Sequence, residues 1–260
     1  LYLLNVAGIA VSMENPLKVK NFAKAMLSTI KTDKSDARLI TLYGEKMNPR
    51  PFKVQGEAIL RLRQKRTVIR QLTKQITAMS NLRGSLACLP VPDKGATHTV
   101  DETIKFLEKK RDRLQSELTD LVEVEFSRQL ALLTTIKGIG ITLATALIIT
   151  TEGFTYFQNA KQVSRYLGIC PTYEQSGTSV NIKGHINRNG DAYTRGLLYI
   201  AAWPASRFNA QCKETYTRLR QNGKSGKLAM IAVVNKLVRQ AFAVVAHDKE
   251  YVDGFVSNRP

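Results

Sequence analysis

Two short stretches of this 260-residue sequence carry side chains whose types and spacing suit chemistry on a phosphate. In the stretch Gln175-Ser176-Gly177, a hydroxyl lies in the sharpest part of a turn, before a glycine that can take a positive φ. Held on such a turn, near arginines and a predicted helix N-terminus, a hydroxyl can attack a phosphate. The alternative is a surface turn without chemistry, because Ser-Gly dipeptides are common turn residues.

The second stretch is the start of a predicted helix that begins near Thr32. Thr32 or Asp33 is a natural N-cap, and Asp36 falls in the first turn. Asp33 and Asp36 lie three residues apart, so one face of the helix carries both carboxylates. Such a pair can hold a hard divalent cation through its oxygen atoms. The alternative is a capped helix start in which the acids interact favourably with the helix dipole.

The composition indicates a polyanionic partner. Lys and Arg number 39 against 21 Asp and Glu, so the formal net charge is +18, and nucleic acid is the simplest partner for that charge. We expect no membrane partner, because no apolar run reaches the roughly 18 residues of a spanning helix. The widely spaced cysteines form no metal-binding pattern and suggest a reduced, cytoplasmic setting.

The elements that must position these side chains begin with a small α/β segment. We predict a helix that ends at Gly8, a strand at Ile9–Met13, a turn at Asn15-Pro16 and a helix over Leu17–Met26. This order makes a βα unit, which is typical of α/β domains. The sequence begins without a methionine, so we expect it to be truncated at the N-terminus.

A long helical hairpin is predicted next. From Gln55 to about Leu86 there is no proline, and apolar residues recur at three- and four-residue spacing. After a loop at Leu89–Gly95, a second helix over Val100–Gln129 carries a similar stripe. We expect the two helices to pair antiparallel and to support a dimer. The basic face of the first helix is either solvated or contacts phosphates, and its candidate contacts are Arg61, Arg63, Arg66 and Arg70.

In the C-terminal part, Lys137-Gly138-Ile139-Gly140 joins two predicted helices in the manner of a helix-hairpin-helix. Glycines at such a turn let backbone N–H groups point toward a phosphate, and a purely structural tight turn is the alternative. Further helices are predicted to start near Asn159 and near Asp191, and a last amphipathic helix covers Lys227–Val245. The basic residues that follow the Ser176 turn include Lys183, Arg188 and Arg195.

Several runs of the sequence, in this order, point to a known family. They are MENPLKVKNFAKAM and KTDKSDARLI, then LLTTIKGIGITLATALI, YLGICP, QSG, INRNGDAYTRGLLYIAAW and GKSGKLAMIAVVNKLVR. The chain resembles, over nearly its whole length, the insertion sequence 110 family of transposases, which are bridge-RNA-guided DNA recombinases. The first two runs are similar to the end of the family's RuvC-like catalytic domain, and the others to its C-terminal domain.

The resemblance implies a mostly α protein with an α/β part. Residues 1–52 would be the end of a RuvC-like domain, residues 53–129 a coiled-coil hairpin, and residues 130–260 a mainly helical domain that bears the serine and a helix-hairpin-helix-like motif. A dimer or tetramer, located in the cytoplasm at the nucleoid of a prokaryote, is expected.

The resemblance also implies a composite site. Ser176 would attack DNA and form a phosphoserine link, while Asp33 and Asp36 would bind Mg²⁺ as the last two acids of a D-E-D-D set. The first Asp and the Glu of that set would lie upstream of residue 1. A guide RNA would choose the DNA sites by base pairing, and Arg188 and Arg195 are candidates, by position, to neutralise the phosphate.

Two other functions stay open. One is a nuclease or junction resolvase, in which the metal activates water and Ser176 is structural. The other is a nonenzymatic nucleic-acid-binding protein, including a transposase remnant, which the missing upstream acids favour for the chain as it stands.

Overall fold

The computed structural model describes residues 1–27, 32–52, 55–176, 180–186 and 190–254. Over these ranges the chain forms eleven helices and two strands, so the predicted mostly α class is confirmed. The chain divides into two compact units, Leu1–Gly56 and Glu57–Pro260. The three-part division expected from the sequence stays a prediction.

The first unit contains α1 (Tyr2–Val6), α2 (Pro16–Ala25) and α3 (Asp33–Met47). The ring of Phe22 in α2 packs edge-on against Tyr43 of α3, with ring centroids 5.3 Å apart.

The strand predicted at Ile9–Met13 is wrong, because residues 9–15 have no regular secondary structure. Isolated hydrogen bonds join this segment to the residues after α3. The amide of Phe52 donates to the carbonyl of Val11, and the hydroxyl of Ser12 donates to the carbonyl of Pro49. A short β-branched run becomes a strand only where another strand can pair with it, and the described part of this unit contains none.

The second unit begins with the predicted long hairpin, formed by α4 (Glu57–Ala87) and α5 (Lys94–Glu125). Two ion pairs, Lys65–Glu117 and Arg83–Asp101, join the helices in antiparallel register. The second helix starts earlier than predicted, because the carboxylate of Asp93 accepts a hydrogen bond from the amide of Ala96 and caps it. The apolar stripes pack against each other, and their buried members are Ile59, Leu62, Ile69 and Ile76 of α4 and Val100, Ile104, Leu118 and Val122 of α5.

The other helices of this unit enclose one hydrophobic core that reaches from Ile59 to Val244. These helices are α6 (Ser127–Thr134), α7 (Ile141–Thr151), α8 (Ala160–Tyr166), α9 (Ala192–Phe208), α10 (Ala210–Gln221) and α11 (Gly226–Ala246). Every residue of α7 from Leu143 to Thr151 is buried. Both predicted caps, Asn159 and Asp191, accept hydrogen bonds at the starts of α8 and α9.

The last helix, α11, is long and apolar enough to cross a membrane by length and composition, contrary to the sequence-based expectation. Half of its apolar window is buried inside the fold. Its side chains Met230, Val233, Leu237 and Val238 belong to the hydrophobic core. A core helix of a globular protein has the same length and composition, and these contacts account for the apolar residues of α11.

Between α8 and α9 the chain forms a β-hairpin of β1 (Pro171–Ser176) and β2 (Val180–Ile186). The two strands are antiparallel, with an irregular register near Thr172. Pro171 pairs with Ile186 at the root of the hairpin, and Ser176 pairs with Val180 at its far end. An isolated two-stranded hairpin is marginally stable, so its direction depends on how its root is attached.

Candidate active site

Ser176 is the last residue of β1 and pairs with Val180 at the end of the hairpin opposite Pro171 and Ile186. Gly177, Thr178 and Ser179 lie outside the described residues, as do Asn187, Arg188 and Asn189. Lys183 is part of β2.

The residues that flank this hairpin, Leu167 before it and Gly190 after it, lie close together. Gly190 lies against the end of α8, where a Cβ at this position would come within 2.7 Å of the carbonyl oxygen of Tyr166 and 2.8 Å of the carbonyl carbon of Leu167. Only glycine fits there. The guanidinium of Arg195 also donates to the carbonyl of Leu167, at 3.3 Å. The segments that enter and leave the hairpin are therefore held together.

Asp191, the next residue, is the centre of a polar cluster. Its carboxylate caps α9 by accepting from the amide of Tyr193, and it accepts from the hydroxyl of Thr194 at 2.7 Å. Two arginines of α4 reach the same carboxylate: Arg66 at 3.4 Å and Arg70 at 3.3 Å. Burial alone would raise the pKa of Asp191, but the hydrogen bond from Thr194 and the two positive charges outweigh burial and lower it.

The cluster closes into a ring through Thr150 of α7. Arg66 donates to the hydroxyl of Thr150 at 2.7 Å, and this hydroxyl lies 3.0 Å from that of Thr194. Because Thr194 donates its one proton to Asp191, Thr150 must donate to Thr194. A surface cavity of about 490 Å³ lies beside this ring, and it is lined by Arg63, Arg66, Thr150, Tyr166, Gly190 and Asp191.

The arginines predicted to contact nucleic acid on α4 make ion pairs within the chain. Arg61 pairs with the exposed Glu57 one turn earlier, and Arg63 pairs with the buried Glu152 at 2.8 Å. Arg66 and Arg70 share Asp191. Sequence reasoning missed Glu152 and Asp191 as partners because they lie far along the chain, Asp191 being 121 residues after Arg70.

The turn from Lys137 to Gly140 joins α6 to α7, as the sequence predicts. Gly138 has φ +106° and is pressed onto α9, since a Cβ there would come within 2.7 Å of the Cβ of Ala205. Gly140 is the N-cap of α7, and the structure shows no side-chain cap there. The ammonium of Lys137 is 2.8 Å from the carboxylate of Asp253.

Asp253 follows α11 and occupies a position typical of a bound anion. Besides the ammonium of Lys137, it accepts from the amide of Ala210 at the start of α10 and from the hydroxyl of Tyr251. These donors, Lys137 first, lower the pKa of Asp253.

In the first unit, Asp33 and Asp36 occupy the first turn of α3. The helix start is capped by Thr32, whose hydroxyl accepts from the amide of Ser35, while the hydroxyl of Ser35 accepts from the amide of Thr32. Within the described residues, no ion pair or side-chain hydrogen bond is formed by either carboxylate. Asp33 is exposed and Asp36 half-buried.

The pair of carboxylates fits a divalent cation in the kind of donor it offers. Hard cations such as Mg²⁺ bind through one or two carboxylates, water and phosphate oxygens. The described ranges contain no group of three or more acidic, His or Cys side chains that could complete a site.

Two family models and several curated proteins match the chain. Residues 130–217 match the family model described as Transposase IS116/IS110/IS902 family, and residues 1–87 match a DEDD-type transposase model of the same group. The chain is 30% identical over 250 residues to the pilin gene-inverting protein of Moraxella lacunata, an alignment that covers 93% of this chain and 74% of that protein. A probable family 20 transposase of Pseudomonas aeruginosa is 24% identical over 171 residues, which are 65% of this chain and half of the relative.

The chain belongs to the IS110 family of insertion-sequence transposases. It is accordingly a DNA transposase or recombinase, and DNA is its partner. The DEDD-type domain indicates dependence on a divalent metal. The resemblance seen in the sequence is thereby confirmed.

Proposed function

We propose that this transposase cuts and rejoins DNA strands through a covalent serine–phosphate intermediate in which Ser176 is the nucleophile. The observation that carries the proposal is the hairpin. It places Ser176 at its far end, and contacts of Gly190, Asp191 and Arg195 hold its root against the helical core. A nucleophile must be held in a defined direction relative to its substrate, and an attached root supports such a direction.

In the proposed step, the oxygen of Ser176 attacks the scissile phosphorus as the hydroxyl loses its proton to a base. The bond between phosphorus and the 3′ oxygen of DNA breaks, and the 3′ oxygen takes up a proton to leave as a free 3′-hydroxyl. Attack by this hydroxyl on the phosphoserine reverses the bond changes and rejoins a strand. An unaided serine is a weak nucleophile, so nearby positive charge is required. Arg188 stays the candidate by position, whereas Arg195, the second candidate, donates to the carbonyl of Leu167 at the opposite end of the hairpin from Ser176.

Asp33 and Asp36 would hold Mg²⁺, which supplies charge stabilisation at the scissile phosphate when bound. The support for this assignment is that Thr32 and Ser35 cap α3, which leaves neither carboxylate committed to the cap. The remaining ligands would come from acids upstream of residue 1, from phosphate and from water.

The basic surface would bind DNA and a guide RNA, and base pairing with the guide would choose the sites. The turn of Lys137, Gly138 and Gly140 would contact the DNA backbone, since the N-terminus of α7 lies there and is exposed. Of the arginines on α4, Arg61 is exposed and keeps access to phosphate, with Arg63, Arg66 and Arg70 adding positive potential.

The active assembly would be a homo-oligomer, a dimer or tetramer, at the nucleoid. The seam between α4 and α5 is filled within one chain, so a second copy would use the outer face of this hairpin. Exposed apolar side chains on that face support the assignment, and they are Val68, Leu82, Phe106 and Val124. The names of the Moraxella relatives add inversion of a DNA segment as one outcome of such recombination.

The test is Ser176→Ala in the full-length protein with its RNA and labelled DNA. Alanine removes one oxygen atom, so cleavage and covalent attachment should vanish while DNA binding persists, and a denaturing gel would show the loss of the protein–DNA adduct. Ser179→Ala is the matched control and should keep the adduct. Ser164 is unsuitable as a control, because its buried hydroxyl donates to Asn235.

An active wild-type protein that forms no adduct would contradict the proposal. It would favour water as the attacking group, and with it a nuclease.

A further inference from the structure

We propose that Asp191, held by Arg66 and Arg70 of α4, is a positioning residue that sets the direction in which the β1–β2 hairpin presents Ser176. This inference rests on the proposed role of Ser176 and goes beyond it, because it assigns the alignment of the nucleophile to a cluster on the core. Asp191 itself does not touch the reacting atoms.

The length of the β1–β2 hairpin magnifies any tilt at its root. Ser176 lies five residues beyond Pro171, which is about 17 Å along a strand at roughly 3.4 Å per residue. A tilt of about 10° at the root would displace the serine by roughly 3 Å, whereas a misplacement of about 1 Å can cost a hundredfold in rate. The root must therefore hold its angle closely.

The root is attached to the helical core by more than one contact. Gly190 fixes how closely the outgoing segment approaches the end of α8, but a single close approach leaves a hinge. Asp191 removes this freedom because its carboxylate binds in several directions at once. It accepts from the amide of Tyr193 and the hydroxyl of Thr194 on α9, and from two arginines on α4.

The two arginines that hold Asp191 are themselves held by other residues of the core. Arg66 and Arg70 are one helical turn apart on α4, so both guanidinium groups face the same carboxylate. Arg66 is also held by Thr150 of the buried helix α7, and the guanidinium of Arg70 lies 5.3 Å from the ring centre of Tyr193. The side chain of Asp191 is 16% exposed, so solvent screens these contacts only in part.

A purely local role for Asp191, as the N-cap of α9, makes a different prediction. Asparagine caps a helix about as well as aspartate, and it has nearly the same size. Asp191→Asn therefore keeps the cap and removes the charge that holds Arg66 and Arg70. If Asp191 only capped α9, this change would leave the β1–β2 hairpin in place. If Asp191 positions the hairpin through its charge, the change would release it.

The direct measurement is a distance distribution between two nitroxide labels in the full-length protein. One label is placed in β1 through Glu174→Cys and the other on the exposed face of α4 through Gln64→Cys, with Cys88 and Cys170 replaced by serine. We expect Asp191→Asn to broaden and shift the distribution. The matched control is Asp101→Asn, which removes the carboxylate that lies 3.3 Å from Nη1 of Arg83 and should leave the distribution unchanged. Arg83 is 13 residues after Arg70 on α4, which is about 20 Å along the helix.

The functional measurement is single-turnover cleavage at saturating DNA, with the dissociation constant measured separately on label-free protein. Asp191→Asn should lower the cleavage rate constant by about 10- to 100-fold and change DNA affinity no more than Asp101→Asn does. Arg70→Gln should also lower the cleavage rate constant. The double variant of Asp191→Asn and Arg70→Gln should be no slower than Asp191→Asn alone, because both changes break the same contact between Arg70 and Asp191. Arg70→Lys, which keeps the charge, should restore part of the rate.

An unchanged distance distribution in Asp191→Asn would overturn the inference, whatever happens to cleavage. A shifted distribution with a wild-type cleavage rate would overturn it as well. If Ser176→Ala itself retains adduct formation, the proposed function fails, and the distance distribution alone then decides whether Asp191 orients the hairpin.

Discussion

The starts of α3 and α9 both carry aspartates, but the two sites use them in opposite ways. At α3, Thr32 and Ser35 form the cap, and the carboxylates of Asp33 and Asp36 have no ion-pair partner within the described residues. At α9, Asp191 is the cap and also accepts from Thr194 and two arginines. Acids at a helix start can thus remain available for a ligand or be consumed by the fold.

The difference shows which acids are suited to chemistry. A metal ligand must offer lone pairs, and the lone pairs of Asp191 are occupied by protein donors. The lone pairs of Asp33 and Asp36 are not occupied by donors within the described residues, because Thr32 and Ser35 cap the helix. Helix position alone does not distinguish the two cases, and the identity of the capping residue does.

The largest expected effect is the loss of cleavage in Asp33→Asn and Asp36→Asn. Asparagine keeps the size but removes the charge that a divalent cation needs, so strand cleavage should fall below detection. The free energy of unfolding should change by less than about 0.5 kcal/mol, because Thr32 still caps the helix.

Thr32→Ala is the complementary change, with a stability cost of about 1 kcal/mol. Denaturant melts and a cleavage assay measure both, and variants that unfold as readily as they lose activity would assign the acids to capping.

The next effect concerns stability at the start of α9. Asp191→Asn should lower the free energy of unfolding by about 1–3 kcal/mol at neutral pH, because two arginines lose a partly buried partner. The native pKa of Asp191 is lowered, so its contribution is present above the unfolded value near 4 and is lost as pH falls through the native pKa. Urea melts of both proteins should therefore converge below about pH 4. A difference that persists in acid would assign the loss to packing rather than charge.

A smaller effect is expected at another carboxylate near a helix start, Asp253 beside α10. Asp253→Asn releases Lys137 from its ion pair, so DNA affinity should rise a few-fold. The slope of log affinity against log salt should steepen by about one unit if Lys137 then meets one more phosphate. Adding Lys137→Gln to this variant should cancel the change. A titration over salt concentration measures it, and an affinity that ignores Asp253→Asn would remove Lys137 from the interface.

The smallest effect compares two buried threonines of α7. Thr145 has the one buried side-chain polar atom without a partner in the described part of the chain, so Thr145→Val should be neutral or slightly stabilising. Thr150 links Arg66 to Thr194, so Thr150→Val should cost about 1–2 kcal/mol. Thermal melts of the two variants measure the contrast, and equal shifts would mean that the ring around Asp191 contributes little.

Much of the fold could be predicted from local patterns. The caps at Thr32, Asn159 and Asp191 lie where the residue types indicate, and the long hairpin follows from the spacing of its apolar residues. The strand at Ile9–Met13 could not be predicted correctly, because strand formation requires a partner that the local sequence does not reveal.

The candidate site divides in the same way. The sequence nominates Ser176 and the pair Asp33 and Asp36 through residue type and the family runs, and their roles stay predictions. The arginines of α4 looked like a uniform basic face, yet Arg63 pairs with Glu152, and Arg66 and Arg70 pair with Asp191.

The sequence by itself determined where most helices begin, how the long hairpin pairs, the basic charge and the family. These depend on contacts between residues a few positions apart or on composition. Only the tertiary structure decided which charges are free and which are paired, and how the root of the serine hairpin is held. The reason is that Arg70 and Asp191, 121 residues apart, meet only after α4, α7 and α9 have packed around one core.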